Sequence, residues 1–562
     1  MNKIKNKLSI SLLAGLILFA CADLDVSNQN APDQDRALAK PEDVESLIRS
    51  TFLVFWQGTH LSGNSWFIAT QGDGNSCSWG NWGMRELSSE PRIAHNNSPA
   101  WGYAGAADDL WYGLYGAISS AKDGLSALAG GLTLNTDADP NADTRAKIFA
   151  KFVMGMSHAM VAIHHDQGFI ITEDTDFAAG APELSSYGEV MTAAIGMLED
   201  VITQANANAS IDIPEDWLHL TPFTMGDLAK VAHGMIARYK AGVARNATER
   251  AAVDWNSVAT HAAQGVPFAP VGDTQYWWSY THYYGGIQPY WTRADYRFIG
   301  PSDQSGAFQT WLGDNSAATV QGRGEIFIVT DDKRIVAGGS SVTGTDQTDF
   351  PGTYIANVGY AFLIPSRGTY HRSYYLITKT YEYASIETAP MHDMVQQELD
   401  LLIAEKALRA GDAATAVEMI NKSRVGIGDL TAAAVADGLG SDTDAPSALD
   451  NASLWAKYKY EKLMEGNQTH PWLNYTDRRG WTGPIGNDYG GGLLPGTPVH
   501  YPIPGKELEV LLMDNYTFGG QDQIGQPGTA SHKMREGAGV HNRGFYIEFK
   551  ERSRNMQKSD LK

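Results

Sequence analysis

The sequence predicts a mainly α-helical protein assembled from helix hairpins, with one loop-rich, short-strand region set between helical parts. Three observations carry that expectation. Apolar residues recur at helical spacing over most of the 562 residues, and two segments each have the form of helix, tight turn and helix. Between residues 267 and 390 the composition shifts to Gly, Pro, aromatics and short apolar runs such as Glu325-Ile-Phe-Ile-Val-Thr330 and Tyr360-Ala-Phe-Leu-Ile364, where short strands and long loops are expected. The length is ample for a large buried core without covalent staples.

The first folded element is expected at Pro41-Glu-Asp-Val44. Proline suits the first helical position, the acids suit the first turn, and Val44, Leu47, Ile48 and Phe52 mark one face. Helical spacing then recurs at about 108–129, 144–166, 187–206, 224–244, 252–264, 392–410 and 412–424. DLAKVAHGMIARYKAGVA pairs with AAVDWNSVATHAAQ, and VQQELDLLIAEKALRAGD with AATAVEMINKSRV, as antiparallel hairpins. Alanine at the crossings allows close approach, and Gly411-Asp412 supplies the second turn. Such pairs are similar to tetratricopeptide units, without a strict period.

The N-terminus carries Lys3, Lys5 and Lys7, then an apolar run of about 13 residues ending at Ala20, then Cys21. That is the form of a secretory signal too short to span a bilayer. Leu18-Phe-Ala-Cys21 resembles the bacterial lipobox, with Phe19 where a small residue is usual, so Cys21 is the expected lipidation site. Several acyl chains on one residue anchor firmly where a single chain does not. Ala22 to Lys40 is then a polar tether reaching about 25 Å as a coil. With Cys21 lipidated, Cys77 has no intrachain disulfide partner. The expected organisation is a signal peptide at 1–20, a lipidated tether at 21–40, a helical region at 41–266, an aromatic loop-rich region at 267–390 and a C-terminal region at 391–562. The charge of −21 makes nucleic acid an unsuitable partner, because such a surface repels phosphate backbones.

Several motifs together resemble the SusD/RagB family of outer-membrane nutrient-binding lipoproteins, along nearly the whole chain. Trp111-Tyr-Gly-Leu-Tyr115 with Ile118 is similar to an early helix of that family, and Ala146-Lys-Ile-Phe-Ala-Lys-Phe152 to its second. The most specific segment runs from Glu398 through Glu405 to Gly411, followed by Ala414, Ala416, Ile420-Asn421 and Arg424. Tyr460-Glu461-Lys-Leu-Met-Glu465-Gly466, Tyr475-Thr-Asp477-Arg-Arg479-Gly480 and His500-Tyr-Pro-Ile-Pro504 with Glu507-Leu508 resemble later motifs. The chain departs from the pattern at His470-Pro-Trp-Leu-Asn474 and at Gly525-Gln-Pro-Gly528.

The resemblance implies a SusD-like fold and a lipid-anchored protein on the outer membrane, at the cell surface. It implies capture of glycan ligands, handed to a SusC-like TonB-dependent transporter, with no bond broken and no cofactor. Within that expectation the stretch QYWWSYTHYYGG has a role, because the CH face of a sugar lies flat on indole or phenol rings. Covering one face, roughly 80 Å², is worth about 2 kcal/mol. Trp277, Trp278, Tyr280, Tyr284 and Trp291 form one candidate arc. Trp79 and Trp82, spaced by Gly and Asn and followed by Arg85 as a hydrogen-bond donor to hydroxyls, form a second.

Other signals are weaker. His164-His165-Asp166 invites a metal, but successive helical residues point about 100° apart, so no metal site is expected there. Asp108, Asp109, Glu173, Asp174 and Asp176 offer carboxylates for a surface glycoside hydrolase, the rival reading from another class. A peptide in place of a glycan is the third. No nucleophile elbow, phosphate loop or zinc-protease helix occurs in the sequence.

Overall fold

The computed structural model describes residues 38–61, 64–77, 83–180, 182–272, 292–314, 323–336, 354–359, 373–380, 388–467, 469–470, 472–481 and 491–521. The chain begins with α1 (Pro41–Arg49), α2 (Thr51–Trp56), a π-helical turn at Gln57–Leu61 and α3 (Asn64–Gln71). Four long helices follow: α4 (Gly105–Ala129), α5 (Ala142–His164), α6 (Tyr187–Ala207) and α7 (Met225–Gly242). Then come α8 (Ala247–Ala251), α9 (Trp255–Gln264), α10 (Gln396–Arg409), α11 (Ala413–Arg424), α12 (Leu454–Gly466) and α13 (Leu473–Trp481). The protein is mainly helical, and the periodicity placed the long helices to within a few residues.

The local causes match the expectations. Pro41 sits in the first turn of α1 with Glu42 and Asp43 beside it, and Val44 and Ile48 are buried. Capping boxes fix the starts of α6, through Ser186 and Glu189, and α7, through Thr224 and Asp227. Helix α7 packs on α9, and α10 on α11, as the two expected hairpins. Gly411 adopts φ +76° between the second pair, and Asp412 then caps α11 by accepting from Thr415 N. Helix α5 has the length and hydropathy of a membrane span, but its apolar window is 89% buried inside the protein. It is a core helix.

Strands are short. Antiparallel pairs join β1 (Asn75–Cys77) to β4 (Thr292–Ala294) and β2 (Gln167–Phe169) to β3 (Leu184–Ser186). Strands β5 (Ile335–Val336) and β6 (Ile355–Asn357) are parallel, and β7 (Tyr375–Ile377) completes that sheet antiparallel to β6. The run Glu325–Thr330 is not a strand. Its donors go to side chains instead: Ile326 N to Tyr296 Oη, Ile328 N to Tyr375 Oη and Val329 N to Asp303 Oδ1. The companion run Tyr360–Ile364 lies outside the described residues. The loop-rich segment leaves and returns at one place, because Phe268 bridges Met394 and Val271 bridges Pro390.

Helix α10 is the wall between two cores. Leu399 and Leu402 face a core built from α1–α9, whereas Leu401, Ala404, Ala407 and Leu408 face a second one with Tyr296, Phe308, Ile355, Ile420 and Tyr458. Two arginines, Arg238 on α7 and Arg250 on α8, grip α10 through carboxylates two turns apart. Arg238 donates to Glu398 through Nε at 2.7 Å and Nη2 at 2.6 Å. Arg250 does the same to Glu405, at 2.8 and 2.6 Å, and reaches Asp477 at 3.1 Å. A third buried arginine, Arg334, donates to Asp332, Glu461 and Glu465. The glutamates of the Glu-x-x-x-Glu-Gly motif, one turn apart on α12, thus close on a single guanidinium.

Replacing Arg250 by Met removes the two-pronged bond to Glu405 and the bond to Asp477, leaving Glu405 to Arg409 and Tyr458 and Asp477 to Lys462, and is expected to cost about 3 kcal/mol, read as a lower urea midpoint at unchanged slope. A loss under about 0.5 kcal/mol, the size of a surface substitution, would contradict the clamp.

Burial pushes the Glu405 carboxyl up, but Arg250 and then Arg409 outweigh it and hold the group at about 2, against 4.5 unperturbed. Its stabilisation is therefore complete above pH ~4.5 and lost as pH falls through ~2, a swing of roughly 3 kcal/mol. Urea titrations at stepped acid pH are expected to show this loss, with a shallower slope in Glu405→Gln; equal slopes in the two proteins would rule it out.

Candidate ligand-binding site

The β1–β4 ladder pairs the two described residues that border the aromatic segments of the sequence. Cys77 ends β1 and pairs with Thr292, which begins β4. The chain therefore departs toward Trp79 and arrives from Trp291 at the same end of the same ladder. Trp79 is two residues beyond Cys77 and Trp291 is one before Thr292, so each is tethered within about 7 Å of chain to a paired residue. Nothing in the sequence spacing indicated this pairing, since β1 and β4 are three residues each and lie far apart in the chain.

The base of the ladder is polar and buried. Arg92 fixes the turn before β1: it donates to Asp73 Oδ1 at 2.6 Å, to Leu87 O at 3.0 Å and to Thr497 Oγ1 at 3.0 Å. Beyond β4, Asp295 accepts from Arg297 N at 2.8 Å, and Arg297 reaches the Glu90 carboxylate at 2.8 and 3.1 Å. Arg478 donates to Arg297 O at 3.0 Å, tying α13 to the same point. Arg293, opposite Ser76, is fully buried; burial lowers its guanidinium to about 9, which leaves it charged at neutral pH. The amides of Asn75 and Asn474 are buried without hydrogen-bond partners. This bed is held by hydrogen bonds rather than apolar packing, which fixes the directions of the chain ends above it.

Of the residues expected to bind ligand, Arg85 is described. It lies exposed on the short helix Met84–Leu87, which begins at Gly83. Gly83 holds φ +71°, and a Cβ there would come within 2.6 Å of the Trp101 ring. The backbone between Trp82 and Arg85 is thereby pinned at a position that only glycine fills without strain. Trp79, Trp82, Trp277, Trp278, Tyr280, Tyr284 and Trp291 lie outside the described residues, as does Cys21.

The structure adds an aromatic that sequence reasoning passed over. Phe327 is 47% exposed, and its ring stands 6.0 Å from that of Tyr374. Arg293 Nη1 donates to Tyr374 O at 3.4 Å, so the Phe327–Tyr374 pair adjoins β4. In the sequence Phe327 sits in an apolar run that suggested a strand, and its exposure follows from that run's irregular backbone.

The weaker signals fall elsewhere. His164 and His165 are buried, and burial, the leading cause, holds both imidazoles well below their ordinary range. His165 Nδ1 bonds to Pro502 O, and Asp166 accepts from Tyr516 Oη, so the three do not converge. Asp108 pairs with Lys506 at 2.7 Å and Glu173 with Lys151 at 2.5 Å.

The fold has relatives among solved structures. A SusD homologue from Bacteroides thetaiotaomicron superposes with a TM-score of 0.52 at 12% identity, over 86% of this chain and 97% of that one. The chain has a SusD-like fold. A surface glycan-binding protein A from Bacteroides uniformis gives 0.45 at 12% identity, over 84% of this chain and 97% of that one. No family model and no curated protein matches the sequence.

Gly83→Ala is expected to lose about 1–2 kcal/mol from the left-handed backbone alone, and more from displacing the Trp101 ring. Chemical unfolding of the variant reads that loss, and unchanged stability would mean that Gly83 does not pin the loop.

Proposed function

We propose that the protein captures oligo- or polysaccharide at the outer face of the cell, held to the outer membrane by lipid on Cys21, and passes it to a SusC-like TonB-dependent transporter. The observation that carries this reading is the Cys77–Thr292 pairing. Two aromatic-rich segments, picked out independently by composition, attach at one end of one ladder on a SusD-like body. Rings supplied from both sides suit a flat, hydroxyl-rimmed ligand, with Arg85 and the exposed Phe327 at the margins. Each stacked ring contributes about 2 kcal/mol, so two or three give reversible micromolar-to-millimolar capture, as a delivery protein requires.

The solved protein from Bacteroides uniformis is named for glycan binding at the surface. The lipobox-like Leu18-Phe-Ala-Cys21 and the polar tether after it support placement on the membrane, standing off the lipid.

The test is retention of polysaccharides in affinity gels and by calorimetry. The wild-type protein is expected to bind one polysaccharide class without releasing reducing ends. Trp79→Ala with Trp82→Ala, and separately Trp277→Ala with Trp278→Ala, are each expected to weaken binding about 30-fold or more per ring removed from contact. Released reducing ends would establish a hydrolase instead. Retention unchanged in both double variants would refute the aromatic site.

A further inference from the structure

Three side chains from three distant parts of the chain meet in the interior. His60 sits on the π-helical turn after α2, Asp393 lies just before α10, and His470 lies just before α13. All three are buried, and their ligand-type atoms lie within 4.8 Å of one another. Asp393 Oδ1 is 3.2 Å from His60 Nε2 and 3.4 Å from His470 Nε2.

The hydrogen-bond bookkeeping leaves this meeting point short of positive charge. The indole N–H of Trp472 can only donate, and it points at His470 Nε2 from 3.1 Å, so that nitrogen carries a lone pair. Thr59 Oγ1 donates to Phe55 O at 2.9 Å and therefore accepts from His60 Nδ1 at 2.8 Å. In the singly protonated ring that assignment puts the lone pair of His60 on Nε2, 3.2 Å from Asp393 Oδ1. Two nitrogen lone pairs then face one carboxylate oxygen. Arg238 does not relieve them: it meets the other carboxylate oxygen at 2.9 Å, and its charge is already matched by the two-pronged bond to Glu398.

We infer that His60, Asp393 and His470 form a binding site for one divalent transition-metal ion of the zinc class. Bonds of about 2.0–2.2 Å to nitrogen and carboxylate oxygen in tetrahedral geometry put neighbouring ligand atoms about 3.3–3.6 Å apart; the two carboxylate–imidazole edges, 3.2 and 3.4 Å, are close to that, and the set, which spans up to 4.8 Å, closes slightly around the ion on binding. A buried set of two imidazoles and a carboxylate also matches zinc rather than calcium or magnesium, which take oxygen donors. The His60 ring is held in place by stacking on Trp56, 3.8 Å away and 6° from parallel, which fixes the ligand direction. Occupancy takes the lone pair that now accepts from Trp472, so the indole reports on the metal. The ion would staple the start of the helical region to the segments leading into α10 and α13.

The experiment uses the purified protein from cells grown with zinc or with cobalt, dialysed against a weak chelator. The expected result is one metal ion per chain by elemental analysis, a tetrahedral cobalt absorption band, and tryptophan fluorescence that differs between loaded and stripped protein. His60→Gln and His470→Gln are each expected to lose the ion and the band, while His261→Gln, outside the site, retains them. If either ligand variant fails to fold, the wild-type stoichiometry and band still decide. Wild-type protein with well under one ion per chain, or a band that survives both ligand substitutions, overturns the inference and leaves a proton between His60 and Asp393 as the occupant.

Discussion

The fold depends on arginines that grip carboxylates in the interior. Helix α10 stands between two apolar cores and shows solvent only a narrow stripe through Gln396, Ile403 and Lys406, so its rotation has to be fixed largely from within. Glu398 and Glu405 do that work: each accepts two hydrogen bonds from a guanidinium, one from α7 and one from α8. Apolar packing alone would tolerate a rotated or slipped α10, whereas a slip here strands charges at a cost of several kcal/mol. Arg334 plays the same part for α12, gathering Glu461 and Glu465. Orientation comes from the ion pairs and most of the stabilisation from the cores.

The same kind of ion pair and hydrogen bond holds the β1–β4 ladder. The ladder that anchors the aromatic segments is only three residues long, too short to hold its own register. It is held by Arg92 on one side and by Arg297 and Arg478 on the other, each donating to a backbone carbonyl or carboxylate inside the body. The points at which the two segments leave the ladder are thereby fixed by the body and not by the segments themselves.

The helices were legible in the sequence because their apolar spacing, their first-turn acids and the Gly411-Asp412 turn act locally. The family-like motifs were legible as patterns, but not in their roles. Glu461 and Glu465 serve Arg334, which lies far off in the chain, and Asn421 accepts from Ala433 N at 2.8 Å and donates to Ala433 O at 3.0 Å across a loop. Long-range partners leave no local trace. The same reason hid the Cys77–Thr292 pairing and the meeting of His60, Asp393 and His470. The run Glu325–Thr330 misled for a different cause: β-branched residues favour extended backbone, but two tyrosine hydroxyls and Asp303 satisfy its donors, so no partner strand is needed. The body of the protein is thus visible from local pattern, and the long-range pairings only from topology.

The central claim is that one ligand touches both aromatic segments together. Hydrogen–deuterium exchange with and without a retained oligosaccharide tests it most directly. The account predicts slowed exchange in 78–82 and in 273–291 at the same ligand concentration, with the same half-saturation. Protection of one segment alone, or protection confined to a surface away from the β1–β4 ladder, would contradict it.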